Sequence, residues 1–121
     1  MFTHSILSFF THSKKHMNVG ILGATGAVGQ KFIRLLAHHP WFTITALGAS
    51  ERSAGKPYAD AVNWIEDVPL PDEIAHLTVK HCTPDALGNV DFVFSGLDSS
   101  VATDIEASFA KAGIPVIPTP K

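Results

Sequence analysis

Residues 18–40, NVGILGATGAVGQKFIRLLAHHP, decide how the rest of the chain is read. The first five, NVGIL, form an apolar run without polar alternation, the pattern of a short strand covered on both faces. They lead directly into Gly23-Ala24-Thr25-Gly26-Ala27-Val28-Gly29. Beyond it Val28, Phe32, Leu35 and Leu36 recur at i, i+4, i+7 and i+8. That spacing predicts a helix with Gln30, Lys31, Arg34 and His38 on its polar face and Pro40 as its stop. A glycine turn between strand and helix lets the backbone approach a pyrophosphate closely. It also aims unpaired helix N–H groups at the phosphate oxygens. The spacing here is G-x-x-G-x-x-G rather than G-x-G-x-x-G, a weak signal alone and a good one between a buried strand and an amphipathic helix. The competing view is a purely structural turn whose small residues serve packing.

Working outward, residues 42–49 (FTITALGA) are β-branched and apolar and read as the second strand. Residues 50–76 lose periodicity, broken by Gly55, Pro57, Pro69 and Pro71. They are expected to form a long loop pinned by Tyr58, Trp64 and Ile65. Residues 77–82 (LTVKHC) alternate as a strand, residues 84–87 suit one helical turn, and residues 91–95 (DFVFS) form a further strand. A second helix is expected with Val101, Ile105, Phe109 and Ala112 on one stripe, Ser100 as N-cap and Gly113 just past its end. Residues 114–117 begin another strand before Pro118 and Pro120. Strands alternating with helices predict an α/β, Rossmann-type, doubly wound and mainly parallel sheet. Ligands of such sheets bind at the carboxyl ends of the strands, here Leu22/Gly23, Ala49/Ser50 and Ser95/Gly96.

Composition bounds the function. The chain has 121 residues, one domain on the usual prior of roughly 100–200. A net charge of −2 supplies no global field to recruit nucleic acid or an anionic membrane. The sign is uneven: Lys14, Lys15, Lys31 and Arg34 all precede the first acidic residue, Glu51, so an anion is better received by the first half. The single cysteine, Cys82, excludes an internal disulfide and a cysteine-based zinc cluster. It is expected to be a small, inert, buried residue near a strand end, with a nucleophile or redox thiol as the alternative. No histidine spacing supports a metal site. Residues 1–17 read as a leader, acid-free but without arginine: a targeting segment, an upstream start or a disordered tail. Residues 18–121 read as the dinucleotide-binding domain.

The end of the second strand chooses the cofactor. A domain preferring NAD places an acid there to hold the ribose 2′-hydroxyl. This chain has Ser50-Glu51-Arg52-Ser53, and a guanidinium flanked by hydroxyls suits a 2′-phosphate. NADP is therefore expected over NAD, and Glu51, if it pointed inward, would reverse the preference.

Taken together, VGILGATGAVGQKFIRLLAHHP, ALGASERSAGKPY and FVFSGLDSSVATDIEASFAKAGIPV resemble the N-terminal domain of aspartate-semialdehyde dehydrogenases of the fungal and archaeal branch. The likeness runs over nearly all of residues 18–117. It implies an NADP-dependent oxidoreductase of amino-acid biosynthesis, cytoplasmic and homo-oligomeric, that reductively dephosphorylates aspartyl 4-phosphate to the semialdehyde. Carried over by position, Gly23, Thr25, Gly26, Ala27, Val28 and Gly29 would wrap the pyrophosphate. Ser50, Arg52 and Ser53 would hold the 2′-phosphate, and Ser95, Gly96 and Leu97 would line the nicotinamide end. The S-E-R-S-A-G-K loop and the F-S-G-L-D run argue against the related N-acetyl-glutamyl-phosphate reductases.

Two departures accompany the likeness. The family's catalytic cysteine, substrate-binding arginine and base histidine belong to later segments, so the chain is expected to be inactive alone and marginally stable. Where the family continues S-N-A-K, this chain has Pro118-Thr119-Pro120-Lys121, and proline offers no N–H to such a turn. A non-catalytic nucleotide-binding or partner-binding module, or a non-functional fragment, are the alternatives.

Overall fold

A computed structural model describes residues 17–118; residues 1–16 of the leader and the residues after Pro118 lie outside them, and Met17 opens the first strand. Five strands, β1 (Met17–Leu22), β2 (Phe42–Ala49), β3 (Val79–His81), β4 (Phe92–Ser95) and β5 (Val116–Ile117), form one sheet in the order β3-β2-β1-β4-β5. All four pairings are parallel. The helices are α1 (Ala27–Leu36), three single turns α2 (Tyr58–Ala61), α3 (Asp72–Ala75) and α4 (Pro84–Leu87), and α5 (Ser99–Lys111). The order reverses at β1, so the chain departs to opposite sides after β1 and after β4 and opens a crevice between their carboxyl ends.

The sheet is covered on both faces, as its unbroken apolar strands require. Val19, Ile21, Ile44, Leu47 and Phe94 pack with Ile33 and Leu36 of α1, Tyr58 and Ile74. On the other face Leu22, Ala46 and Val93 pack with Leu87 and Phe109. β2 changes register against β1: Val19 pairs with Ile44 and Gly20 with Ala46, leaving Thr45 as a bulged, exposed residue. An extra residue in one strand shifts the parity of inward-facing positions. That is why Ile44 and Leu47, three apart, share a face.

Local details correct several expectations. The buried side of α1 is Gly29, Gln30, Ile33 and Leu36, whereas Leu35 is 69% exposed and Val28 37%. The stripe is rotated because the helix must bring Gly29 against the turn that precedes it, and Gln30 comes inward with it. The strand expected over residues 77–82 is shorter, since Thr78 forms an antiparallel bridge with Pro57 instead of joining the parallel ladder. Residues 50–76 contain α2 and α3 rather than loop alone. Tyr58 is a fully buried anchor, Trp64 is partly buried and donates to Val68 O at 2.7 Å, and Ile65 is 60% exposed. Along α5 only Phe109 is fully buried, with Ile105 partly so; Val101 and Ala112 are exposed. Its N-cap is Asp98, not Ser100. Its end is as expected: Gly113 has φ 82°, and the Gly113 and Ile114 N–H groups donate to Ala110 O and Phe109 O at 3.0 and 2.9 Å. This is a Schellman motif, with Ile114 packed into the same apolar cluster as Phe109.

Candidate functional site

A cleft of about 280 Å³ opens at the carboxyl ends of β1, β2 and β4. Gly23, Thr25, Gly26, Ala27, Val28, Ser50, Gly96 and Leu97 line it, so parts of all three expected strand ends converge on one space. Gly29, Arg52, Ser53 and Ser95 do not line it. Ala49, named with Ser50 as a strand end, lines it too, as do Asp98 and Val101, which the sequence reading did not place at the site. Asp98 had a signal, an acid directly before a periodic helical run. Val101 had the opposite one, since its spacing marked it as core.

The floor of the cleft is backbone against backbone. A Cβ on Gly29 would fall inside the carbonyl oxygen of Gly23 and 2.9 Å from Ala24 Cα. One on Gly96 would meet Gly29 N at 2.7 Å, and one on Gly23, at φ 72°, would meet Gly96 C at 3.0 Å. These three glycines let the β1–α1 turn, the start of α1 and the end of β4 touch. Gly26 is different: it caps α1 with ordinary φ −80°, and a Cβ there would meet nothing closer than 3.6 Å. Its lack of a side chain leaves the helix end open. The cap has no side-chain hydrogen bond, and the first turn of α1 carries no acid. Free N–H groups and the positive end of the helix dipole therefore face the cleft, an arrangement suited to an anion.

Ser50 follows β2, and the N–H groups of Ser53 and Ala54 both donate to its carbonyl, at 3.0 and 3.1 Å, folding residues 50–54 into a tight turn. Gly55 N–H to Val79 O and Val79 N–H to Lys56 O, both 2.8 Å, anchor the turn to β3. Arg52 stands exposed on it, and no salt bridge holds it among the described residues. Ser95 is buried, with its hydroxyl 3.5 Å from the Leu97 N–H. The basic residues of α1 are committed elsewhere: Arg34 lies 3.2 Å from Asp67 and 3.8 Å from Glu66, and Lys31 3.9 Å from Glu66. The expected welcome of the first half for anions thus rests on the turn, not on these cations.

Cys82 is half-buried beside this floor rather than fully buried, its thiol 3.9 Å from Ala49 O. Burial pushes the thiol pKa up, partly offset by the backbone at Gly23. Burial likewise lifts the Tyr58 phenol far above the usual tyrosine range. No group of three or more metal-binding side chains occurs among the described residues. A larger groove of about 520 Å³ lies at the other end of α1, between Arg34, Ala37 and His38 and residues 68–72. It lacks the open helix N-terminus and the convergent strand ends, so the smaller cleft is the candidate site.

Residues 18–119 match the semialdehyde dehydrogenase, NAD binding domain. The chain belongs to this family. It is 52% identical over 103 residues to the aspartate-semialdehyde dehydrogenase of Schizosaccharomyces pombe, across 85% of this chain and 29% of that protein. It is 48% identical over 95 residues to that of Methanothermobacter thermautotrophicus, across 78% and 27%. The crystal structure of aspartate-semialdehyde dehydrogenase with NADP from Candida albicans superposes with a TM-score of 0.83 at 50% identity, covering 88% of this chain and 30% of that one. The chain spans under a third of each of these relatives. The family's NAD-binding fold, expected from the glycine turn and the strand ends, is the fold observed.

Proposed function

We propose that this chain is the NADP-holding domain of an aspartate-semialdehyde dehydrogenase. The observation that carries the proposal is the open N-terminus of α1 beneath a glycine floor that admits no Cβ, set where the sheet order reverses. The pyrophosphate lies over Gly23, Thr25, Gly26, Ala27 and Val28, with Gly29 letting the helix close on the turn. The 2′-phosphate lies at the end of β2, where Ser50 faces the cleft and Arg52 and Ser53 sit on the adjoining turn. The nicotinamide end would be held at Gly96 and Leu97, with the buried Ser95 behind them. Bound there, the cofactor supplies the hydride by which aspartyl 4-phosphate is reduced to the semialdehyde.

The residues lining the cleft include no cysteine and no histidine. Acyl transfer needs an activated nucleophile beside a base, so this cleft by itself holds cofactor without turning over. The same reading assigns the chain to the cytoplasm and to a homo-oligomeric enzyme. No helix among the described residues is long and apolar enough to cross a membrane.

Calorimetric titration with NADP and NAD tests the assignment. NADP should bind the more tightly. Arg52→Ala should weaken NADP by about 10- to 100-fold, the value of a charge-assisted contact, with little effect on NAD. Equal losses for both nucleotides would remove Arg52 from the phosphate site.

A further inference from the structure

Two buried side chains that do not line the cleft reach up to the carbonyls of the glycine turn. Tyr58, fully buried, donates its hydroxyl to Ala24 O at 2.7 Å. Gln30, 2% exposed, donates Nε2 to Thr25 O and to Asn63 O, each at 3.1 Å, while its Oε1 accepts from the Ile65 N–H at 2.8 Å. A trans peptide holds its C=O and N–H in one plane, pointing in opposite directions. Holding the Ala24 carbonyl toward Tyr58 therefore turns the Thr25 N–H the other way, and Thr25 lines the cleft. Gln30 holds the next plane at its carbonyl end, while the Gly26 N–H at the other end donates to Gly23 O at 3.1 Å, so this plane braces the turn.

Both grips lead back to one strap, residues 58–65: Tyr58 is part of it, and Gln30, on α1, is tied to it at Asn63 and Ile65. The strap continues from the 50–57 loop and is tied to the β3 side by the Tyr58 N–H to Leu77 O at 2.8 Å. A loop already ordered in its binding conformation does not lose entropy when the ligand arrives. Buried, mutually satisfied polar groups hold such an arrangement firmly.

We infer that Tyr58 and Gln30 are positioning residues of the nucleotide site: Tyr58 presets the Ala24–Thr25 peptide plane for the pyrophosphate, and Gln30 braces the adjoining Thr25–Gly26 plane that keeps it there. This rests on the nucleotide reading above. The test uses the full chain, with parallel titrations of NADP and of adenosine 2′-phosphate, which has the sugar phosphate but no pyrophosphate. Tyr58→Phe keeps the ring and removes the hydroxyl; Gln30→Met keeps the length and removes the donors. Each should weaken NADP by about fivefold, the worth of one net hydrogen bond, and leave adenosine 2′-phosphate unchanged. A merely structural role would weaken both ligands alike, and that result, or unchanged NADP affinity in either folded variant, overturns the inference. A parent chain that binds neither ligand overturns the nucleotide reading itself, and the inference with it.

Discussion

Replacing Gly29 by alanine tests whether the cleft floor is built by contact or merely tolerates glycine. The added methyl would fall inside the Gly23 carbonyl oxygen and 2.9 Å from Gly23 C and Ala24 Cα. All three are backbone atoms of the β1–α1 turn, so no rotamer change makes room. Overpacking costs about 1–3 kcal/mol where neighbours can shift, and an unyielding neighbour puts this site at about 3. Alanine's better helix propensity returns about 1 kcal/mol, for a net loss of about 2 kcal/mol. In a domain of this size that lowers Tm by about 8–16 °C. Gly26→Ala is the control. Its methyl has 3.6 Å of clearance and an allowed φ, so the cost is at most the loss of a good cap, about 1 kcal/mol. Because Gly26 lines the cleft, its variant should lose NADP affinity while its Tm falls by no more than about 4–8 °C, half the Gly29→Ala loss. Thermal unfolding by circular dichroism, with and without NADP, reads both effects. A Gly29→Ala protein melting within about 2 °C of the parent, or a Gly26→Ala protein falling as far as Gly29→Ala, would refute the packing argument.

Cys82 should react with thiol reagents at pH 8 more slowly than free cysteine, because burial raises its pKa and depletes the thiolate; equal rates would contradict its placement. The sign carries into stability. Cys82 and Tyr58 both keep their protons in the folded chain after the unfolded chain has released them. Their contributions are full below the ordinary thiol and phenol ranges of about 8.5 and 10 and are lost as pH rises above them. Urea denaturation from pH 7 upward should show falling stability, and a flat profile would count against both assignments. Gly113→Ala should cost about 1 kcal/mol through its left-handed backbone alone, since nothing lies within 4 Å of the added methyl. Gly113→Asn should recover part of that, and equal Tm values for glycine and alanine would argue against the Schellman ending.

The sequence was most legible where one pattern admits one structure. The bounds of β2, the turn at residues 84–87 and the stop at Gly113 all follow from β-branched runs, a proline at the head of a turn and a glycine past a helix. It was least legible where a tertiary contact overrides local periodicity. Gln30 falls on the polar side by hydropathy, yet the approach of Gly29 to Gly23 rotates it inward, where three backbone partners compensate its amide. Ile65 looks like an anchor, but its backbone N–H is what is held and its side chain faces solvent. Thr78 alternates as a strand residue, yet it pairs with Pro57. The three strand ends read from the sequence border a single cleft. What periodicity could not supply was which residues on the following turns face inward, and so Asp98 and Val101 escaped while Arg52 and Ser53 stand to the side.

The bulge in β2 sets a rule for how this strand can change length. Val19 and Gly20 are adjacent and pair with Ile44 and Ala46, skipping Thr45. Removing Thr45 would therefore leave each of those partners in place and return the strand to strict alternation, with Ile44 and Leu47 still sharing a face. Removing a residue on either side of it would slide one half of β2 past β1 and turn that half's side chains over. Thr45 is thus the position in β2 at which the chain can be shortened by one residue without disturbing the sheet.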